Sequence, residues 1–160
     1  MAGLLRKLFR IGRLPDDLRP RVESEGVIYL GEYLAVVLRF TGQIPGRKSV
    51  GLVRGYGGSL ALTNKRVLGT VSVLPGAGGR AVDQPWNAAQ SGPVAGTLSE
   101  SGLVLEVADL SQVDPTFSGH LSLTYKADLP ADVLTRVPTR TLAFEVPPKF
   151  VYSVLGIPRG

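Results

Sequence analysis

The chain has no cysteine and a single histidine, His120. Disulfide stapling, thiol catalysis and zinc sites built on cysteine or several histidines are therefore excluded. Charge is also scarce, at 19% of residues, and no apolar run approaches the roughly 20 residues a membrane-spanning helix needs. With 44% apolar residues, that low charge suits a packed domain rather than a disordered tail. A length of 160 residues fits one domain and leaves no room for a second sizeable core. The 20 glycines and 12 prolines make up a fifth of the chain, which predicts many turns and hence many short strands.

The net charge of +5 is unevenly placed. Up to Arg21 the chain carries Arg6, Lys7, Arg10, Arg13, Arg19 and Arg21 against Asp16 and Asp17, whereas the remainder is nearly neutral. A localised basic end points to an anionic surface, and a near-neutral body argues against a domain-wide nucleic-acid face. On a helical wheel Leu4, Leu5, Leu8, Phe9 and Ile11 gather on one side while Arg6, Lys7, Arg10 and Arg13 gather on the other. Residues 1–14 therefore read as a basic amphipathic helix, centred on residues 4–11. It is too short and too charged to span a bilayer, and its apolar face fits a lipid surface or a groove on a protein partner. Its basic residues interleave with apolar ones instead of preceding an uninterrupted run, unlike a secretory signal, which favours the cytoplasm and the inner face of the membrane. Pro15 and Pro20 predict an irregular link over residues 15–24.

Alternation marks the strands of the body. Leu34, Val36, Leu38 and Phe40 alternate after the apolar run at residues 26–30, which Gly31-Glu32 interrupts, so a strand or a bent strand pair opens the domain. Residues 50–54 run back, and Gly55-Tyr56-Gly57-Gly58 is expected to break the chain. Asn64-Lys65 reads as a tight turn between Leu60-Leu62 and Val67-Val71-Val73. Residues 74–93 read as a long loop holding the single tryptophan, Trp86, which is expected to pin that loop by burying its ring. A further hairpin follows at residues 94–107, then strands at 120–126 and 140–146, with one helical turn at 130–137. Pro147-Pro148 opens a short final helix with Phe150, Val151, Val154 and Leu155 on one face. About seven strands with no interior helices for parallel crossovers predict a mostly β protein, a small antiparallel barrel or sandwich capped by the last helix.

The stretch Gly58-Ser59-Leu60-Ala61-Leu62-Thr63-Asn64-Lys65-Arg66-Val67-Leu68 resembles a hairpin of GRAM domains and bacterial PH-like domains, and Glu25-Gly26-Val27-Ile28-Tyr29-Leu30-Gly31-Glu32 is similar to their first strand. The resemblance implies a pleckstrin-homology-like bent barrel over residues 25–157, closed by a short C-terminal helix and used for binding lipids, peptides or other subunits rather than for catalysis. It also implies an anion site around the first turn, at Arg39, Arg47, Lys48 and Arg54, whose side chains would make charge-assisted hydrogen bonds to phosphate. The chain departs from pleckstrin-homology domains in placing Trp86 outside the final helix.

Other chemistries lack their context. Gly42-Gln43-Ile44-Pro45-Gly46-Arg47-Lys48-Ser49 has its glycines one residue too close for a phosphate loop, and Gly76-Ala77-Gly78-Gly79-Arg80-Ala81 does not open a helix as a dinucleotide site requires. His120 falls on the polar phase of its strand with no nucleophile-elbow sequence, and Asp109 and Asp114 form neither a spaced acid pair nor a calcium loop. No catalytic residue, metal or cofactor is expected. The expected function is a non-enzymatic binding module on an anionic membrane, or alternatively a protein–protein adaptor or self-associating subunit in which the N-terminal helix docks on a partner.

Overall fold

The computed structural model of the chain describes residues 12–74 and 79–157. Eight antiparallel strands run in the order β4-β3-β2-β1-β7-β6-β5-β8 and curl into a nearly closed barrel. The strands are β1 (Val27–Ile44), β2 (Arg47–Thr63), β3 (Arg66–Val71), β4 (Arg80–Pro85), β5 (Val94–Ser99), β6 (Gly102–Val107), β7 (Ser118–Lys126) and β8 (Thr141–Phe144). Three short α-helices accompany them among the described residues: α1 (Arg19–Ser24), α2 (Ala131–Arg136) and α3 (Pro148–Val154).

The long β1–β2 hairpin organises the barrel. Its outer half, residues 35–43 of β1, pairs with β7, while residues 58–62 of β2 pair with β3, so one hairpin serves two sheet segments. Inward alternation supplies the core through Val36, Leu38 and Phe40 of β1, Leu60 and Leu62 of β2, and Leu121, Leu123 and Tyr125 of β7, all buried. Val151, Val154 and Leu155 carry α3 onto the same core, as the sequence pattern predicts.

One open alternative is settled and three local expectations change. Gly31-Glu32 does not split β1; pairing moves from Gly31↔Leu60 to Leu34↔Gly58, a bulge with Tyr33 at φ +58°, so the strand bends and continues. Gly55–Gly58 does not break β2 either, because the ladder passes through Gly55↔Val37, Gly57↔Ala35 and Gly58↔Leu34. Gly58 is required for close approach: a Cβ there would lie 2.3 Å from the Thr70 carbonyl oxygen and 2.8 Å from Val36 Cγ2. The expected loop at residues 74–93 contains β4, which raises the strand count from about seven to eight. Within the expected link at residues 15–24, α1 forms because Pro20 stands in the first turn of the helix, where a missing amide hydrogen costs nothing. Leu14, Leu18 and Val22, spaced four apart, bury against Ala61 and Leu68 on the outer face of the sheet as a second small core.

Candidate functional site

Strand register distributes the four candidate anion ligands over two faces. Arg39 stands opposite Val53 and Lys48 opposite Gln43, on the outward face, whereas Arg54 stands opposite Leu38 and Arg47 opposite Ile44, on the face that carries the core. A bulge lies between them, with Val50 and Gly51 opposite Thr41; Gly51 has φ +66° and its amide donates to Thr41 Oγ1 at 2.8 Å. Arg54 Nη1 donates to the Leu155 carbonyl at 2.7 Å and Tyr56 Oη to the Val154 carbonyl at 2.7 Å. Both thereby satisfy the terminal carbonyls of α3, where a cation also meets the negative end of the helix dipole. Arg47 Nε donates to Ser49 Oγ at 3.3 Å. The structure thus places Arg39 and Lys48 on one exposed face and does not bring Arg47 and Arg54 to it.

The N-terminal candidates Leu4, Leu5, Arg6, Lys7, Leu8, Phe9 and Arg10 lie outside the described residues. Arg13 is described and pairs with Asp16 at 3.1 Å. Arg19 bonds Glu32 at 2.7 Å, and the same carboxylate accepts from the Leu14 amide at 2.7 Å. Arg21 approaches Glu25 at 3.8 Å and Asp83 at 3.9 Å. Three of the six N-terminal cations therefore have a carboxylate beside them, Arg19 and Arg21 on the body and Arg13 within the N-terminal stretch itself. Residues 1–11, by contrast, hold Arg6, Lys7 and Arg10 with no Asp or Glu among them.

The β2–β3 hairpin that carries the resemblance is held by a polar network that its sequence only partly displays. Thr63 Oγ1 accepts from the amides of Lys65 at 3.1 Å and Arg66 at 3.0 Å and donates to Glu25 at 3.0 Å, closing the turn. Arg66 bridges Glu25 at 2.9 Å and Asp83 at 2.8 Å, and Arg80 reaches the other oxygen of Asp83 at 2.9 Å. Burial on its own would raise the Glu25 carboxyl, but the hydrogen bonds from Arg66 and Thr63 and the charges of Arg66 and Arg21 outweigh it and hold it below the usual range. The Arg66 guanidinium is correspondingly raised, first by its bond to Glu25. Trp86 Nε1 donates to the Thr63 carbonyl at 2.7 Å, so the indole pins its loop across this hairpin. Lys65 and Arg66 are thereby accounted for by the turn and the network.

A groove of about 370 Å³ lies between the edge strands β4 and β8, lined by Val82, Phe144, Val146 and Phe150 with Glu145 and Lys149 at its rim. These strands end the sheet order, so each leaves one backbone edge without a neighbouring strand. His120 is exposed on β7, opposite Thr41. Asp109 and Asp114 fold onto their own turns, accepting from the Ser111 amide at 3.0 Å and the Thr116 amide at 2.8 Å. Among the described residues no helix is long and apolar enough to cross a membrane, and no group of three His, Asp or Glu is placed to hold a metal ion. Comparison with family models, with curated proteins and with solved structures finds no match.

Proposed function

We propose that this chain is a non-enzymatic, pleckstrin-homology-like binding module that attaches peripherally to an anionic membrane, at its cytoplasmic face, through the basic amphipathic segment at residues 1–14. The observation that carries the reading is the distribution of acidic residues around the N-terminal cations. Arg13, Arg19 and Arg21 have carboxylates beside them, while Arg6, Lys7 and Arg10 share an acid-free segment with Leu4, Leu5, Leu8 and Phe9. Three such cations contribute on the order of 1 kcal/mol each beside an anionic leaflet, and the apolar face adds to this, which amounts to reversible, salt-sensitive attachment. Arg39 and Lys48, exposed on one face of the β1–β2 hairpin, are the second place where an anionic headgroup would be met.

The test is sedimentation of the full chain with vesicles of anionic or neutral lipid, alongside the variants R6E/K7E/R10E and R39E/K48E. Loss of binding in the first variant supports attachment through the segment. Loss only in the second moves the site to the hairpin, and no binding to anionic vesicles overturns the reading. One observation favours a second reading, an adaptor or self-associating subunit: the groove between β4 and β8 offers apolar side chains beside two open strand edges, the geometry that accepts an added strand from a protein partner.

A further inference from the structure

We propose that the outward face of the sheet segment β2-β1-β7-β6-β5 docks on the same face of a second copy of this chain, with β7 lying along the two-fold axis. The docking uses neither the membrane reading nor the groove between β4 and β8.

Strand register sets this face out in rows. One row runs Val53, Arg39, Ser122, Glu106 and Ala95 across β2, β1, β7, β6 and β5, and the next runs Gly55, Val37, Thr124, Val104 and Thr97. Both rows alternate with the buried positions Leu38, Leu123 and Leu105, so their side chains point away from the core. Arg39 and Glu106 are exposed, and among the described residues neither makes an ion pair. Val53, on their row, is 53% exposed, unusual for a large apolar side chain of this barrel.

The charges select the occupant. Arg39 and Glu106 stand one strand to either side of β7, opposite in sign and level with Ser122. A two-fold axis along β7 exchanges the two sides, so that β1 of one copy faces β6 of the other and β2 faces β5. Arg39 then meets the other copy's Glu106, and Glu106 the other copy's Arg39, giving two ion pairs from one patch. Val37 falls on the other copy's Val104 and Val53 on its Ala95, which covers the exposed valine. Packed sheets lie about 10 Å apart, a gap that an arginine and a glutamate reaching toward one another span. Lys126, four residues beyond Ser122 on the axis, would face its own copy, but the roughly 30° rotation usual between packed sheets carries the two about 7 Å apart. An anionic membrane or a nucleic acid fits this face less well, because Glu106 in its middle would oppose what Arg39 gains.

Size sets the strength. Strands β5 and β6 have six residues each, so the shared area is five strands wide and roughly 20 Å by 24 Å. That is smaller than the roughly 800 Å² per partner of a standard stable complex, and it fits a dimer of micromolar or weaker affinity.

The test is the solution mass of the full chain against concentration, by sedimentation velocity in dilute salt without lipid. A reversible dimer is expected, and R39E and E106R are each expected to weaken it by at least about tenfold, since each sets two like-charged pairs across the axis. An equimolar mixture of R39E and E106R is expected to recover dimers to within about threefold of the unmodified chain, because every charge in the mixed dimer meets its opposite again. K48E, on the same hairpin but level with Gln43 and Ser118, beyond the pairing of β6 with β7, is expected to leave the dimer unchanged. Far-ultraviolet circular dichroism checks that each variant is folded; should a reversal not fold, R39Q and E106Q make the same comparison, each expected to weaken the dimer by about threefold or more. A chain that stays monomeric up to about millimolar concentration overturns the proposal. So does a dimer that neither reversal weakens, which would place the contact elsewhere, and so does a mixture no stronger than the single variants.

Discussion

Arg54 Nη1 donates to the carbonyl oxygen of Leu155 at 2.7 Å, tying the β1–β2 hairpin to the end of the last helix across most of the chain. Together with Tyr56 on Val154, this bond makes Arg54 a cap of α3 rather than a free cation beside the first turn. R54A is expected to lower stability by about 1–2 kcal/mol, a fall of several degrees in Tm, while vesicle binding stays unchanged. Thermal melts paired with sedimentation check this; lost binding at intact stability would return Arg54 to the anion site.

Glu25 joins α1 to the β2–β3 hairpin through Arg66 and Thr63. Its carboxyl is held below the ordinary value of 4.5, so its contribution is fully present above about pH 4.5 and is lost as pH falls through the lowered folded-state value. E25Q is expected to cost roughly 2 kcal/mol at pH 7, because Arg66 and Arg21 lose a charge partner, and to flatten the acid limb of the stability profile. Denaturant titrations between pH 3 and 7 read both effects, and parallel acid limbs would show that other carboxylates govern acid unfolding.

Tyr125 is completely buried, and its hydroxyl donates to the Thr70 carbonyl at 3.0 Å. Burial raises its phenol far above the ordinary value, so the ring stays neutral across the working range. Gly58 and Gly69 leave the space it fills, a Cβ at residue 69 falling 3.0 Å from the hydroxyl oxygen. G58A is expected to destabilise by at least about 2 kcal/mol, since the obstructing atom is backbone that must shift, whereas Y125F costs roughly 1–2 kcal/mol for the unpaired carbonyl. Equal, negligible losses in chemical denaturation would contradict this packing.

Leu18 is 4% exposed and fills the second core with Leu14 and Val22. L18A is expected to cost about 2–4 kcal/mol. A loss below half a kcal/mol in the same denaturation experiment would mean that this segment is not part of the folded body.

Much of the architecture was legible because alternation is local: Val36-Leu38-Phe40 and Leu121-Leu123-Tyr125 declare an inner face without knowledge of their partners. Asn64-Lys65 was legible as a turn for the same reason. What escaped depends on neighbours distant in sequence. Gly58 reads as a breaker until Thr70 and Val36 are seen pressed against it, and β4 has no clear alternation, since Ala81 and Val82 are both buried. Pro20 reads as a stop until the i, i+4, i+8 spacing of Leu14, Leu18 and Val22 is set against Ala61 and Leu68. Among candidate site residues, Arg39 and Arg54 look alike in sequence; parity across a two-strand ladder separates them, and only the position of α3 shows what Arg54 does.

The membrane reading turns on one comparison: the vesicle affinity of the full chain and of R6E/K7E/R10E at low and high salt. Binding that requires anionic lipid, weakens with salt and drops by at least about tenfold in the variant is the expected result. Affinity that is equal for neutral and anionic vesicles, or unchanged by reversing these three charges, would contradict it.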